Sequence, residues 1–255
     1  MGKPEGCCPW QAKPITQDKR HSVRALVARL TPTLGLAMPL LAVLFDLDGT
    51  LHDKTATLEL VARRQFQTFD LDGREIELSS WVQKCVALNS ELIPKTEVFS
   101  RLAASFRLSV PLQTALLEDF DANLGKLACP YKGALDALTR LKICEMTLGI
   151  VTNGRDAFQR SKIEGMGMTK LFDSIVTSGG FGSKKPDLNI FMSSLSELGV
   201  QAENAAFVGD SFNADMEPAI ALGMHSVWKT TEKSNRVSFC SDDLSQICQH
   251  LLSEA

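Results

Sequence analysis

The sequence predicts an α/β fold, built on a doubly wound parallel sheet with an α-helical domain inserted near its start. Two observations predict it. From residue 129 onward, short apolar runs alternate with helical patterns, and each run ends directly in polar residues or glycine. Between residues 53 and 128 this alternation stops, and only helical patterns remain.

The first strand is predicted within residues 40–47, LLAVLFDL. Its apolar residues are continuous rather than alternating, which is typical of a strand covered on both faces of a parallel sheet. Similar runs follow at residues 147–152, 174–177, 205–208 and 225–228. Helices are predicted between them at residues 134–141, 187–198 and 213–222. Such strand–helix–strand crossovers are right-handed, and in an open sheet they place helices on both faces.

Residues 53–128 are expected to form a helical cap. Their helical segments are residues 58–69, 81–89, 95–106 and 111–124. The core is then expected to comprise residues 40–52 and 129–255. Residues 1–39 are expected to be a flexible N-terminal extension without a catalytic role. The sequence from Met38 onward is typical of a domain whose first strand directly follows its initiator methionine.

Composition excludes several classes of function. The net charge of −3 argues against a protein-wide surface for nucleic acid. No stretch approaches the roughly 20 apolar residues of a membrane span. The seven cysteines are odd in number and lack a C-x-x-C pair, which favours a reducing, cytoplasmic location.

The segment Asp46-Leu47-Asp48-Gly49-Thr50 is the strongest indication of chemistry. Residues two apart in extended backbone project to the same side, so both carboxylates are expected to face one crevice. Two close carboxylates repel unless a cation or a proton joins them. The pair therefore indicates either Mg²⁺ or one ionised and one protonated acid. The other predicted strands also end in polar residues, which should gather at the same edge of the sheet.

The sequence VLFDLDGTL, residues 43–51, resembles the first motif of the haloacid dehalogenase superfamily of phosphatases. The remaining motifs of that superfamily are matched in order. They are Val151-Thr152-Asn153, Lys185-Pro186-Asp187, and Val208-Gly209-Asp210-Ser211 together with Asp215. The resemblance covers about residues 41–230, whereas the cap is supported only by its length and helicity.

This resemblance implies a role for each acid. Asp46 is expected to attack phosphorus and form an aspartyl phosphate. Asp48 is expected to protonate the leaving oxygen and then to accept a proton from the hydrolytic water. Mg²⁺ is expected to be held by the Asp46 carboxylate, the Asp48 backbone carbonyl and Asp210. Asp215 is expected to orient these groups, with a plain acid at a helix N-terminus as the alternative.

The resemblance also implies how the phosphate is held. Thr152 is expected to supply a hydroxyl, and Asn153 a backbone N–H, to the phosphoryl oxygens. Lys185 is expected to neutralise the charge that develops there. Lys184 competes for that role, but the residue directly before Pro186 matches the family better.

The expected function is hydrolysis of a small soluble phosphomonoester with Mg²⁺ as cofactor. A nucleoside monophosphate, phosphoglycolate and a phosphosugar remain open as substrates, because a helical roof would obstruct a folded protein or a duplex. A sugar phosphomutase on the same scaffold is the enzymatic alternative. A catalytically silent binding protein that kept the fold is the alternative of another class.

Overall fold

The computed structural model describes residues 39–91 and 93–255. The expectation that residues 1–39 form a flexible extension therefore lies outside the described residues, apart from Pro39. Within the described ranges, no helix is both long and apolar enough to cross a bilayer.

Within the part of the chain that the structure describes, six parallel strands form one sheet. In chain order they are β1 Ala42–Phe45, β2 Thr147–Thr152, β3 Ser174–Thr177, β4 Ala205–Gly209, β5 His225–Trp228 and β6 Phe239–Cys240. Across the sheet the order is β3-β2-β1-β4-β5-β6, so β1 lies in the middle between β2 and β4. Phe45, the last residue of β1, is in register with Ile150 and Val208. The residues that follow these strands therefore share one edge of the sheet.

Ten α-helices are present among the described residues. They are α1 Lys54–Thr68, α2 Leu78–Ser90, α3 Lys95–Phe106, α4 Val110–Asn123, α5 Ala134–Ile143, α6 Asp156–Gly165, α7 Ser178–Phe181, α8 Leu188–Leu198, α9 Glu217–Ala221 and α10 Leu244–Ser253.

The side chains of β1 alternate between two hydrophobic clusters, one on each face of the sheet. Val43 and Phe45 pack in the cluster that contains α5 and α10, and Leu44 packs in the one that contains α8 and α9. Covering both faces explains the continuous apolar run and confirms the predicted doubly wound α/β fold.

Helices α1 to α4 have a hydrophobic cluster of their own, with Trp81, Phe99 and Phe120 at its centre. The indole N–H of Trp81 donates to the carbonyl of Ala62 at 2.9 Å, and the rings of Phe99 and Phe120 meet edge to face at 5.4 Å. This cluster is separate from the two clusters of the sheet. The separation supports residues 53–128 as a cap, which remains a proposal.

The two connections between this helical insert and the sheet run side by side. The backbone N–H of Asp53 donates to the carbonyl of Cys129, and that of Tyr131 donates to Leu51, each at 2.8 Å. Helix α6 adds a third contact, because Phe158 packs against the cluster of the insert. A Cβ atom at Gly165 of α6 would overlap the backbone of Gly125, so glycine allows this close approach.

The helix predicted at residues 213–222 is divided in the structure. A π-helical turn, Phe212–Met216, precedes the short helix α9. Two features explain the division. The hydroxyl of Ser211 accepts the N–H of Ala214 at 3.2 Å, and Pro218 has no N–H to donate to a preceding carbonyl.

Candidate active site

Asp46 is the first residue after the central strand. Its backbone N–H donates to Val208 at 2.9 Å and so continues the ladder between β1 and β4. Its side chain is 6 % exposed. Oδ1 accepts from Nζ of Lys185 at 2.6 Å, and Oδ2 accepts from the hydroxyl of Thr50 at 3.3 Å. Asp46 is therefore fixed at the centre of the carboxyl edge of the sheet.

Lys185 reaches the same point from the loop before α8. Its ammonium also donates to Oδ1 of Asp215 at 2.7 Å. The side chain of Asn153 holds the backbone of Lys185, since Oδ1 accepts from its N–H at 2.8 Å and Nδ2 donates to its carbonyl at 3.1 Å. Lys185 is buried, whereas Lys184 is exposed. Asn153, which directly follows β2, therefore also fixes the backbone position of Lys185.

Asp46, Asp210 and Asp215 form a cluster that could hold a metal ion. Each offers one carboxylate oxygen, and these oxygens all lie within 4.8 Å of one another. Oxygen donors of this kind suit Mg²⁺. From its sequence motif, Asp215 is expected to orient these groups, with a plain acid at a helix N-terminus as the alternative. The structure places its carboxylate in this cluster as well as beside Lys185.

Two glycines allow these carboxylates to approach the backbone. Gly49 has φ +94°, and a Cβ atom there would overlap the carboxylate of Asp210. A Cβ atom at Gly209 would likewise overlap Asp215. The turn after Asp48 can therefore pack directly against Asp210 only because residue 49 has no side chain.

The protonation equilibria of the cluster reflect burial and crowding. Burial raises the pKa of Asp46 to about 6, although Lys185 acts in the opposite sense. Asp210 is more exposed than the other two acids, but its carboxylate is partly desolvated; this desolvation, and then the charge of Asp46, raises its pKa to about 6. Burial also raises the pKa of Asp215. Burial opposes the charged form of Lys185, but Asp46 and Asp215 prevail and raise its pKa. The cluster thus has three carboxylates and one ammonium, which contacts two of them, and a divalent cation would fit the charge that remains.

Asp48 lies in a different set of contacts. Its Oδ1 is 2.6 Å from Nδ1 of His52, and Nζ of Lys162 donates to both carboxylate oxygens at 2.8 Å. Nε2 of His52 is 2.8 Å from the hydroxyl of Thr57. Burial favours the neutral acid, but the hydrogen bond from His52 and the charge of Lys162 prevail and hold the pKa of Asp48 below its usual range. Asp48 is therefore a carboxylate in this arrangement.

Gln159 joins Asp48 to the end of β2. Its Nε2 donates to Oδ2 of Asp48 at 3.0 Å, to the hydroxyl oxygen of Thr152 at 2.8 Å and to the carbonyl of Asn153 at 3.0 Å. Because Gln159 is the donor to the Thr152 oxygen, the hydroxyl hydrogen of Thr152 can be donated elsewhere.

Sequence reasoning missed Gln159, Lys162 and His52. Gln159 and Lys162 lie three residues apart on α6 and share a face, which is a detectable signal in a helix that follows Asn153-Gly154. The contact of His52 with Asp48 has no such signal in the sequence. Lys229 was also missed. Its Nζ donates to the carbonyl of Gly49 at 3.1 Å and lies 3.8 Å from the ring centroid of Tyr131.

A doubly wound sheet with clustered acids and a buried lysine at its carboxyl edge places the chain among the α/β enzymes. A profile of the family described as Haloacid dehalogenase-like hydrolase matches residues 43–229. The chain belongs to this family and is a hydrolase.

Curated relatives of the chain are phosphatases. It is 28 % identical to glyceraldehyde 3-phosphate phosphatase of Methanocaldococcus jannaschii over 192 residues, which cover 72 % of this chain and 82 % of the relative. It is 26 % identical to phosphoglycolate phosphatase of Nitrosospira multiformis over 193 residues, which cover 74 % and 82 %.

Solved structures share the fold. The HAD-hydrolase YfnB of Bacillus subtilis, determined bound to magnesium, aligns with a TM-score of 0.64 at 21 % identity and covers 84 % of this chain and 99 % of its own. A HAD phosphatase of Thermococcus onnurineus aligns with a TM-score of 0.56 at 24 % identity and covers 82 % and 97 %.

Proposed function

We propose that the chain is a Mg²⁺-dependent phosphatase that hydrolyses a small soluble phosphomonoester through an aspartyl phosphate on Asp46. One observation carries the proposal: oxygens of Asp46, Asp210 and Asp215 lie within 4.8 Å of one another, with the ammonium of Lys185 against two of these carboxylates. The names of the curated relatives, which are phosphatases of glyceraldehyde 3-phosphate and phosphoglycolate, support it.

The acidic cluster is the proposed metal site. Asp46, Asp210 and the backbone carbonyl of Asp48 would hold Mg²⁺, with Asp215 beside them. Bound there, the ion would neutralise the negative charge that the nucleophile and the substrate phosphate bring together. The pKa values of Asp46 and Asp210 are raised first by burial, and repulsion between carboxylates adds to this effect; a bound cation would oppose both, which supports this assignment.

The first half of the proposed reaction forms the bond between Asp46 and phosphorus. Spontaneous hydrolysis of a phosphomonoester is so slow that the site must lower the barrier by on the order of 20 kcal/mol. An oxygen of Asp46 attacks phosphorus, and the bond from phosphorus to the leaving oxygen breaks. Thr152 and the backbone N–H of Asn153 bind the phosphoryl oxygens, while Lys185 neutralises charge that develops on them.

Asp48 is the proposed acid and base. In the second half-reaction its carboxylate takes a proton from the water that cleaves the aspartyl phosphate. In the first half it must instead carry a proton for the leaving oxygen. We infer that a bound phosphate dianion competes for Lys162 and repels the Asp48 carboxylate, so that both effects raise the pKa of Asp48.

The helical insert is proposed to close over this crevice, exclude water and select the leaving group. A roof of this kind favours a small metabolite such as a nucleoside monophosphate, phosphoglycolate or a phosphosugar over nucleic acid. A cytoplasmic location is part of the proposal. Four cysteines form no disulfide in the described structure, as expected in a reducing compartment: Cys85, Cys129, Cys240 and Cys248.

Phosphate release from a panel of phosphomonoesters, with and without Mg²⁺, tests the proposal. We expect release that depends on Mg²⁺ and falls by about 10³-fold or more in Asp46→Asn, since the nucleophile is removed. Asp136→Asn, an exposed acid on α5, is the matched control and should match the wild type. Full turnover by Asp46→Asn would refute the assigned nucleophile. An isomerised sugar phosphate as product would instead identify a mutase, and inactivity of the wild type on the whole panel would favour a silent binding protein.

A further inference from the structure

His52 is a buried residue that contacts the proposed acid and base. Its side chain is 1 % exposed, whereas that of Asp48 is 32 % exposed. Nδ1 of His52 lies 2.6 Å from Oδ1 of Asp48, and Nε2 lies 2.8 Å from the hydroxyl oxygen of Thr57. Both ring nitrogens therefore have partners, and the ring cannot turn without losing one of these two hydrogen bonds.

The backbone of His52 closes the turn that carries Asp48. Its N–H donates to the carbonyl of Leu47 at 2.8 Å, and its carbonyl accepts from the N–H of Gly49 at 3.1 Å. Leu47 and Gly49 are the two neighbours of Asp48 in the sequence. These backbone hydrogen bonds therefore hold the imidazole and the carboxylate at a set distance from each other.

Thr57 fixes the far side of the imidazole. It is buried, and its hydroxyl donates to the carbonyl of Asp53 and accepts from the backbone N–H of Cys129, each at 2.8 Å. Asp53 and Cys129 belong to the two connections between the helical insert and the sheet. Because these connections hold the hydroxyl in place, the imidazole that bonds to it is held as well.

The two oxygens of Asp48 have different surroundings. Oδ1 faces His52, whereas Oδ2 accepts from Nε2 of Gln159 at 3.0 Å. The same nitrogen of Gln159 contacts the hydroxyl oxygen of Thr152, a proposed phosphate ligand. Oδ2 therefore lies on the side of the proposed phosphate site, and Oδ1 is the oxygen through which His52 holds the carboxyl group.

His52 and Lys162 differ in how they respond to a bound phosphate. Lys162 donates to both oxygens of Asp48, and the substrate phosphate is proposed to compete for its ammonium. Both nitrogens of His52 are already bonded within the chain, so the imidazole offers no free N–H to the phosphate. The orientation of Asp48 during phosphoryl transfer therefore depends on His52.

We propose that His52 is a positioning residue, which holds the carboxyl group of Asp48 in the orientation that delivers a proton to the leaving oxygen. This inference rests on the proposed phosphatase function and on Asp48 as its acid. A displacement of about 1 Å in a reacting group can cost about 100-fold in rate. A strongly basic leaving oxygen needs the proton, whereas a weakly basic one departs without it. The effect of His52 should therefore depend on the leaving group, which a merely structural role would not explain.

The test compares phenyl phosphate with p-nitrophenyl phosphate, which share an aryl ring but differ in the basicity of the leaving oxygen. The quantity compared is kcat/KM, because it reports formation of the aspartyl phosphate and not its hydrolysis. In His52→Leu we expect kcat/KM to fall roughly 10-fold or more for phenyl phosphate and less than about 3-fold for p-nitrophenyl phosphate. Both esters are assayed on one preparation, so a loss of folded protein lowers both values equally.

Two further variants accompany His52→Leu. In His52→Asn the side-chain N–H₂ can take the place of Nδ1 and donate to Asp48, so most of the lost activity on phenyl phosphate should return. His250→Leu is the matched control, because His250 bonds to His225 and has no part in the site. It should keep the wild-type ratio of the two kcat/KM values.

Equal losses for the two esters in His52→Leu would show that His52 only supports the fold. No loss for either ester would show that Asp48 keeps its orientation without the imidazole. Either result would overturn the inference and leave the phosphatase proposal intact. Absence of phosphate release by the wild type from both esters and from the whole metabolite panel would overturn both proposals together.

Discussion

Nζ of Lys185 lies 2.6 Å from Oδ1 of Asp46 and joins this carboxylate to that of Asp215, which accepts from the same atom at 2.7 Å. All three side chains are buried, with relative exposures of 6 % or less. A single ammonium is therefore shared by two carboxylates that would otherwise repel each other in a region of low dielectric constant. Lys185 serves stability as well as the proposed chemistry.

Replacing Lys185 with methionine should destabilise the metal-free protein. The change keeps most of the side-chain volume but leaves buried carboxylates without a counter-charge, which typically costs about 3–5 kcal/mol. Urea unfolding in the presence of a chelator measures this difference. Lys184→Met is the matched control, and its exposed position predicts a change below about 0.5 kcal/mol. Equal urea midpoints for the two variants would contradict the structural role of Lys185.

Mg²⁺ should stabilise the folded protein through Asp210. An ion that binds only the native state adds about 2.7 kcal/mol of stability at 100 times its dissociation constant. We expect thermal unfolding to show a higher Tm with Mg²⁺ in the wild type and in Asp136→Asn. In Asp210→Asn most of the increase should be lost, because one carboxylate of the cluster is gone. The same increase in Asp210→Asn would place the ion elsewhere.

The affinity for Mg²⁺ should fall as the pH is lowered through about 6. The pKa values of Asp46 and Asp210 are both raised to about 6, so protons compete with the ion at these two carboxylates. Between pH 7.5 and 5.5 the dissociation constant should rise roughly 10-fold. Calorimetric titration of the metal-free protein at the two pH values measures the change. An affinity independent of pH in this interval would show that these acids do not bind the ion.

Gly49→Ala should disrupt the site more than an alanine at another glycine with positive φ. Gly199 has φ +67°, and a Cβ atom there would meet nothing within 4 Å, so Gly199→Ala should cost about 1–2 kcal/mol of backbone strain. Gly49→Ala adds an overlap with the Asp210 carboxylate to similar strain. It should therefore be less stable than Gly199→Ala and should lose its thermal response to Mg²⁺. Mg²⁺ stabilisation of wild-type size in Gly49→Ala would refute this account.

The pair formed by His225 and His250 should make stability depend on pH. Their Nε2 atoms lie 2.8 Å apart, and the ring of His250 stacks on Phe239. Burial lowers the pKa of both histidines below the usual value of 6.5. The positive charge of His250 lowers the pKa of His225 further, whereas the negative charge of Glu254 acts to raise the pKa of both. The unfolded chain then binds more protons than the native state, so stability should fall as the pH drops below about 6.5.

Chemical unfolding of the wild type and His250→Gln between pH 7.5 and 5.5 tests this prediction. The raised pKa values of the acidic cluster favour the native state at lower pH, but they act in both proteins and cancel in the comparison. We expect the wild type to lose more stability than the variant over this interval. Parallel pH profiles would exclude the histidine pair as the cause.

Most of the fold could be predicted from the sequence because its strands are continuous apolar runs. The bounds of β2 and β3 agree with the predicted runs 147–152 and 174–177, and α3 coincides with the predicted segment 95–106. Helix α6 escaped prediction, because Phe158 and Ile163 are too few to define an apolar face. Strand β6 has only two residues, and so short a segment shows no periodicity.

The site could be predicted only where its residues follow strands in recognisable motifs. Asp46, Asp210 and Lys185 were found in this way, and the structure brings them together. The partners of Asp48 were missed, because no motif includes His52, and Lys162 lies 114 positions away on a helix whose one signal is the shared face of Gln159 and Lys162. Such contacts depend on how α6 packs, which a single sequence does not specify.

The contact between Gly165 and Gly125 has a consequence for engineering substrate preference. Helix α6 carries Phe158 into the hydrophobic cluster of the insert and also supplies the lysine bound to Asp48. A transplant of residues 53–128 from a relative would leave this helix facing a foreign partner. The transferable unit is therefore larger than the insert, and chimaeras that also carry residues 156–165 should retain their fold more often than those that do not.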